Sequence, residues 1–347
     1  MTEQEITALG PAFAAYLRRF RGCLGQDRTA GHFDTYCRGL LSDLPRKTVE
    51  PIALEAGTAV RTLQEFLVTA RWDHDRTRDT LQQHLAGVLG GLPADPLGTV
   101  GVVDETSCRK WGDHTPGVQR QYLGCVGKID SGIVTVHLGV AKGTFQALLD
   151  ADLYLPKSWA EDRPRCRAAG IPDDVRHRAK WRLAVDQWVR LAGNGVSFDW
   201  LVFDEGYGSK VPFLRFLNLV GQRFVADAAL SRVLAVAFRR WVVEHAFRLG
   251  KQETGLMHYE GRDYTGLLRH LMLAVVVLGF VATHTERLRG EKPTGDGRAG
   301  VPGAEPAVRG RVPPAAGRAR GPAQQRGHPV PPAAERPGRK VPQETAA

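Results

Sequence analysis

Apolar residues recur every three or four positions along the first part of the chain, which is the spacing of amphipathic helices. The segments that show it best are GPAFAAYLRRF, HFDTYCRGLLSDL, TAVRTLQEFLVTARW and TRDTLQQHLAGVLG. Pro45, Pro51 and a Gly-Gly-Leu-Pro run ending at Pro93 mark the turns between them. We therefore expect residues 1–95 to form an all-helical N-terminal domain, with a plain helical bundle as the simplest interpretation.

The pattern changes at Thr99 to short runs rich in β-branched residues, which are typical of strands. Three successive strands are predicted at TVGVV, YLGCVGK and GIVTVHLGVA, followed by a loop over residues 155–174. The chain then alternates between helix and strand: HRAKWRLAVDQWVRLAGNG, FDWLVF, KVPFLRFLNLV and QRFVAD. From about residue 230 the pattern is helical again, through AVAFRRWVVEHAFRLGKQ and YTGLLRHLMLAVVVLGFVAT.

This order of elements predicts an α/β domain over residues 96–290, with an RNase H-like mixed five-stranded sheet and flanking helices. Beyond Glu291 the composition changes to Pro, Gly, Ala and Arg, and 11 of the 21 prolines follow Lys292. A segment of this kind has too few apolar residues to bury a core, so we predict that residues 291–347 form a disordered tail.

Composition narrows the class of protein. The longest uncharged apolar run, Leu271 to Val281, is shorter than the roughly 20 residues of a bilayer span, and no signal peptide is evident. We expect a cytoplasmic protein without a membrane partner.

The five cysteines include no C-x-x-C pair, which argues against a zinc ribbon or a disulfide framework. The net charge is +10, but the residues from Arg287 onward contribute +7 of it, so charge alone says little about the folded part.

Two apolar strands run into an acidic residue. Val100 to Val103 leads into Asp104, and Leu201 to Phe203 leads into Asp204. One such Asp is usually a turn former or helix cap, but two on neighbouring strands favour a ligand site, because ligands bind at strand ends. Each Asp is followed by a Glu, and strand alternation lets only one of each pair face the site. We select the two aspartates because they end the apolar runs.

A third acid is expected from the helix after the last strand, where Glu244 and Glu253 are the candidates. Arg240, Arg248 and Lys251 share one stripe with Glu244. A Glu among basic residues often belongs to a solvated, salt-bridged helix face. The same stripe also suits a site that handles a DNA phosphate.

Three carboxylates from separate elements suit two Mg²⁺ ions, for which Mn²⁺ can substitute, because Mg²⁺ prefers hard oxygen ligands. Two such ions stabilise both the attacking and the leaving oxygen in an in-line displacement at phosphorus. Arg240, Lys251 and Arg248 would then bind DNA phosphates.

Four stretches resemble DDE transposases of the insertion-sequence-four superfamily, most closely the insertion-sequence-seven-hundred-one group. They are VVDETSCRKWGDHTPGVQRQYLGCVG, LYLPKSWAEDRPRCRAAGIP, LVFDEGYG and VEHAFRLGKQETGLMHYEGRDYTGLLRHL. The resemblance implies that Asp104, Asp204 and Glu244 are the catalytic, metal-binding triad. Its Tyr-Arg-Glu-Lys signature maps onto Arg240, Glu244 and Lys251, but Ala237 occupies the tyrosine position.

The chain departs from this family in two further ways. The β-rich insertion between the second Asp and the Glu is missing, with the join predicted near residues 226–232. The proline-rich tail is also unlike the polar, Arg- and His-rich ending of the family. We hypothesise a frameshift near Lys292, and a natural basic tail that attracts DNA is the alternative.

The resemblance implies metal-dependent nicking at insertion-sequence ends, followed by strand transfer into target DNA. Double-stranded DNA would be the partner, with a homodimer on DNA, a nucleoid-associated location and an N-terminal bundle that recognises the element's ends. Three alternatives remain. They are a catalytically impaired transposase that still binds DNA, an RNase H-like nuclease without strand transfer, and a non-catalytic DNA-binding protein.

Overall fold

The structure is a computed structural model that describes residues 3–226 and 231–291. The predicted tail therefore lies outside the described residues, apart from Glu291. The N-terminal part is helical, as its spacing predicts. Its elements are α1 (Glu3–Leu17), a 3₁₀ helix (Arg18–Cys23), α2 (Asp27–Leu41), α3 (Val49–Glu55), α4 (Val60–Val68) and α5 (His74–Gly91).

A mixed sheet follows, with the strands β1 (Val100–Arg109), β2 (Gln119–Leu123), β3 (Lys128–Lys142), β4 (Phe145–Leu153), β5 (Trp200–Phe203) and β6 (Phe224–Ala226). The strand order is β2-β3-β1-β5-β6, and β4 also pairs with β3. β1 is antiparallel to β3 and parallel to β5, and β5 is parallel to β6. The sheet therefore joins an antiparallel half to a parallel half at β1.

The prediction of five strands is wrong, because the described sheet has six. The additional strand is β4, which lies before the predicted loop. Its acidic residues Asp150 and Asp152 break the apolar pattern, and both contact Arg190 on a helix that packs on the sheet. A partner 40 residues away in the sequence is invisible to local periodicity.

The remaining helices flank the sheet: α6 (Lys157–Ala160), α7 (Arg163–Ala168), α8 (Lys180–Gly193), α9 (Glu205–Gly208), α10 (Val211–Leu219), α11 (Ser231–Glu253) and α12 (Tyr264–Glu291). α8 packs on β3 and β4, and α11 packs across β1, β3, β4, β5 and β6. Residues 227–230 lie between β6 and α11 and outside the described residues, so the predicted join near residues 226–232 falls partly on them.

The N-terminal helices pack around α12, which also contacts β4. Arg269 of α12 donates to Leu67 O at 2.9 Å and to Trp72 O at 2.7 Å, and Tyr16 Oη donates to Val276 O at 2.9 Å. These buried hydrogen bonds connect the first and last helices. The predicted domain boundary near residue 95 falls between α5 and β1.

By length and composition α12 could cross a membrane, but 78% of its most apolar window is buried inside the protein. Burial by neighbouring helices and β4 is the expected environment of a core helix. The five cysteines are unpaired; Cys23, Cys37 and Cys166 are buried, Cys108 is partly buried and Cys125 is exposed.

Candidate functional site

Asp104 and Asp204 lie on neighbouring parallel strands in matching positions. The pairing of β1 with β5 runs from Val100 opposite Trp200 to Val102 opposite Val202. Asp104 lies two residues beyond the last paired residue of β1, and Asp204 lies two residues beyond the last paired residue of β5. The negative charges of both act on the Tyr207 hydroxyl. The two aspartates therefore occupy corresponding positions at the ends of the paired segments of neighbouring strands.

The two aspartates occupy different local structures. Asp204 follows the last residue of β5 and is the N-cap of α9, where its Oδ1 accepts a hydrogen bond from Tyr207 N at 3.1 Å. The prediction that Asp104 ends its strand is wrong, because β1 continues to Arg109 by pairing with β3. Asp104 is 8% exposed, and its Oδ1 accepts from Glu105 N at 2.8 Å.

Tyr207 lies next to both aspartates and to Glu105. Burial raises the pKa of its hydroxyl well above 10, and the negative charges of Glu105, Asp104 and Asp204 raise it further. The phenol therefore stays protonated at neutral pH. Its Oη is buried and makes no hydrogen bond within the part of the chain that the structure describes.

The glutamates that follow the aspartates lie in different surroundings. Glu105 Oε2 is 2.6 Å from Lys180 Nζ, at the first residue of α8. Glu205 is exposed in the first turn of α9. The choice of the aspartates over the glutamates stays a prediction, and the contact with Lys180 gives Glu105 a positively charged partner within the fold.

α11 covers the sheet next to Asp104. His137 of β3 is the antiparallel partner of Asp104, so both side chains point to the same face. The Phe247 ring of α11 meets the His137 ring edge-on, with the centroids 5.0 Å apart. Glu244 is exposed and lies three residues before Phe247 on α11, within one helical turn of the residue that covers this part of the sheet.

His137 is fully buried and neutral. Burial lowers its pKa to about 3, the positive charge of Lys251 adds to this lowering, and Asp152 opposes it. Its Nε2 lies 2.7 Å from Thr135 Oγ1. Lys251 is half-buried and lies four residues, about one helical turn, after Phe247 on α11.

The other charged residues of α11 that were predicted for the site lie in different surroundings from one another. Arg248 is exposed, and its Nη2 lies 2.7 Å from His245 Nδ1. The side chain of Arg240 lies outside the described residues. Burial lowers the pKa of Lys47, and the negative charge of Glu253, the alternative third acid, opposes that shift. This interaction connects Glu253 with the segment before α3.

The described residues contain no group of three His, Cys, Asp or Glu side chains close enough to hold a metal ion. Asp104 and Asp204 both lie near Tyr207, and the metal-binding triad of Asp104, Asp204 and Glu244 stays a prediction. Two adjacent carboxylates form a hard-oxygen donor set, which fits a divalent cation such as Mg²⁺.

Sequence reasoning did not identify His137, Tyr207 or Lys180 as neighbours of this site. Tyr207 lies in the quoted stretch LVFDEGYG, three residues after Asp204, and could have been found from its distance to that N-cap. His137 and Lys180 come from separate elements, and only the strand register and the packing of α8 place them here.

Comparison with known proteins identifies the class. The family model of the DDE superfamily endonuclease matches residues 19–255, which include both aspartates and Glu244. A protein of Microchaete diplosiphon, named as a probable transposase for insertion sequence element IS701, is 34% identical over 208 residues, or 59% of this chain and 50% of that protein. The chain therefore spans about half the length of this curated relative. The resemblance to insertion-sequence transposases is confirmed, and the chain belongs to the DDE superfamily endonucleases.

Proposed function

We propose that this chain is a DNA transposase that nicks insertion-sequence ends and transfers the cut strand into target DNA. The observation that carries the proposal is the position of Asp104 on β1 and of Asp204 just after the parallel neighbour β5, with α11 packed on both strands. The order β4-β3-β1-β5-β6, antiparallel up to β1 and parallel beyond it, supports an RNase H-like core, with β2 as an addition at the β3 edge.

In this proposal Asp104, Asp204 and Glu244 hold divalent metal, Mg²⁺ or Mn²⁺. When bound, the metal activates the attacking oxygen and stabilises the leaving oxygen at phosphorus. The hydrogen bonds from Glu105 N and Tyr207 N orient the two aspartates. The protonated Tyr207 adds no charge of its own to the site.

The basic residues of α11 would position the DNA phosphates. Lys251 is half-buried on α11, and Arg248 is exposed. Arg240 belongs to the same predicted stripe. Cations placed in this way fix the register of a DNA backbone without reading its sequence. Double-stranded DNA is the proposed partner, with a homodimer at paired ends and end recognition by the N-terminal helices.

A second candidate is a catalytically impaired transposase that still binds DNA. The observation that favours it is the short connection of four residues between β6 and α11. This candidate shares the fold and the DNA partner of the first, and differs in catalysis alone.

The test is Mg²⁺- or Mn²⁺-dependent cleavage of a duplex that carries the element's own end, by wild type and Asp204→Asn. Asparagine is as good an N-cap as aspartate, so the variant removes a charge while keeping the α9 cap. We expect a loss of about 10³-fold or more, the scale of several kcal/mol of transition-state stabilisation. Glu205→Gln is the matched control and should keep wild-type cleavage.

Glu244→Gln beside Glu253→Gln tests the third acid in the same assay, and only the first should abolish cleavage. A pre-cut end then tests strand transfer, which separates a transposase from a nuclease. Wild type that binds the end without cleaving it would support the impaired transposase. Cleavage that survives Asp204→Asn would refute the metal site.

A further inference from the structure

Trp111 is the most exposed aromatic residue among the large hydrophobic residues of the described chain, at 81% exposure. It lies just beyond the end of β1, in the loop of residues 110–118. The Arg109 guanidinium stacks on its ring at 4.2 Å from the centroid, and Asp130 holds Arg109 through a 3.1 Å ion pair. With so much of the residue exposed, the ring face away from Arg109 faces solvent.

The rest of the fold holds this loop in place. Lys110 is buried, and its Nζ donates to main-chain carbonyls in the connection between α11 and α12. Trp159 Nε1 donates to Val118 O at 2.7 Å, and Arg165 Nη2 donates to Asp113 O at 2.6 Å. Arg165 also stacks on the Trp159 ring at 3.8 Å. Trp111 is thus presented to solvent by a loop with fixed ends.

The surrounding segment is strongly basic. Residues 157–182 contain eight Lys and Arg and four Asp and Glu, a net charge of +4. Residues 1–286 as a whole carry only +3, so the rest of that region is slightly negative. The basic segment contacts β1, because Lys180 Nζ lies 2.6 Å from Glu105, the residue after Asp104. Positive charge is therefore concentrated in a segment that contacts β1.

We propose that Trp111, Arg109, Arg165 and the basic segment 157–182 form a DNA-binding surface on which Trp111 stacks against an unpaired base. This inference rests on the proposed function and adds a specific substrate feature to it. Basic side chains bind the phosphates of any DNA, whereas an aromatic face binds a base only where that base is unstacked. The surface thus favours DNA with an unpaired end or flank over a closed duplex.

The distance between Trp111 and Asp104 sets the number of nucleotides between the stacked base and the phosphate at the acid pair. Arg109 is five residues beyond Asp104 on β1, or roughly 17 Å along an extended strand. DNA advances 3.4 Å per nucleotide along one strand, so Trp111 meets a base about five to seven nucleotides from the phosphate held at the acid pair.

The experiment measures binding of two labelled duplexes of random sequence, one fully paired and one with a single-stranded extension of about seven nucleotides. No metal is added, so no cleavage occurs. Wild type should bind the extended probe more tightly. Trp111→Ala should weaken that binding about 5- to 100-fold while changing paired-duplex binding less than about twofold, and Trp111→Phe should keep most of the preference.

Arg109→Ala and Arg165→Ala should weaken both probes and each lower the salt slope by about one. The matched control is Arg223→Ala, because Arg223 stacks on Trp200 at 4.8 Å where β5 begins, at the opposite end of the parallel strands. It should leave both affinities unchanged.

Wild type and Trp111→Ala with equal affinity for the extended probe would overturn this surface, and the proposed function would still stand on the cleavage assay. Wild type that binds neither probe would overturn both. A change in the sedimentation of DNA-free Trp111→Ala, with unchanged DNA affinity, would assign Trp111 to a contact between copies of the chain and also overturn the proposal.

Discussion

Two pairs of aspartates in the same sheet are held in different ways. Asp150 and Asp152 on β4 both contact the Arg190 guanidinium, which lies 2.9 Å from Asp150 Oδ2. Asp104 and Asp204 accept hydrogen bonds from the backbone N–H groups of Glu105 and Tyr207, which orient their carboxylates. The first pair therefore has a structural role together with Arg190, and we propose that the second pair binds metal.

The amides around the β4 pair strengthen the contrast. Gln82 Nε2 donates to Asp150 Oδ2 at 3.1 Å, and Gln187 Nε2 donates to Asp152 Oδ2 at 3.0 Å. These contacts connect β4 with α5 and α8, which flank it. A buried acid in this sheet is therefore not evidence of catalysis by itself, and its partners indicate its role.

The largest effect on stability is expected for Arg190→Met. The substitution leaves two carboxylates in a buried region without their cation, which costs about 3–5 kcal/mol in the free energy of unfolding. Urea denaturation measures it. Arg182→Met is the control, because Arg182 is 56% exposed and its ion pair with Asp186 contributes at most about 1 kcal/mol. Equal losses in the two variants would contradict a structural role for the β4 pair.

An intermediate loss of stability is expected when the pH is lowered, and His270 of α12 is the residue responsible. Its Nδ1 lies 2.9 Å from Tyr36 Oη and its Nε2 2.9 Å from Gly255 O. Burial lowers its pKa from 6.5 to about 4, Lys110 and His258 lower it further, and the hydrogen bond to Gly255 O opposes them. The unfolded state binds the proton more readily than the folded state. The contribution of neutral His270 to the free energy of unfolding is therefore fully present above pH 6.5 and is lost as the pH drops toward 4.

The loss at this histidine is about 3 kcal/mol over that window. Denaturation curves at several pH values from 7 to 4 measure it, with His270→Gln as the comparison. The variant has no titrating group at this position, so its stability should fall less steeply than that of the wild type. Parallel curves would show that His270 does not carry the acid sensitivity.

The smallest effects are expected from two buried tyrosines. Tyr36 Oη bonds to His270, so Tyr36→Phe leaves a buried nitrogen without a partner and should cost about 1–3 kcal/mol. Tyr207 Oη has no hydrogen bond within the described chain, so Tyr207→Phe should stay within about 0.5 kcal/mol of wild type. Thermal unfolding measures both. A large loss for Tyr207→Phe would mean that its hydroxyl helps to hold the aspartates in the folded state.

Much of the candidate site was predictable because its signal is local. Asp104 and Asp204 each follow an apolar run, and the N-terminal helices follow from their apolar spacing. β4 was not predicted, because Asp150 and Asp152 interrupt its apolar pattern as polar residues of a loop would. The end of β1 was placed too early, because its last five residues form a strand by pairing with β3. His137 and Lys180 were not predicted, because their partners Asp104 and Glu105 lie dozens of residues away in the sequence.

The sequence by itself determined the apolar periods, the acidic residues after the strands and the motifs that connect this chain to the DDE superfamily endonucleases. Only the tertiary structure decided which acids receive an arginine, which lie side by side and which aromatic ring is presented to solvent. The physical reason is that local patterns encode burial and backbone preference, whereas the charge state and partners of a side chain depend on strands and helices that meet only after folding.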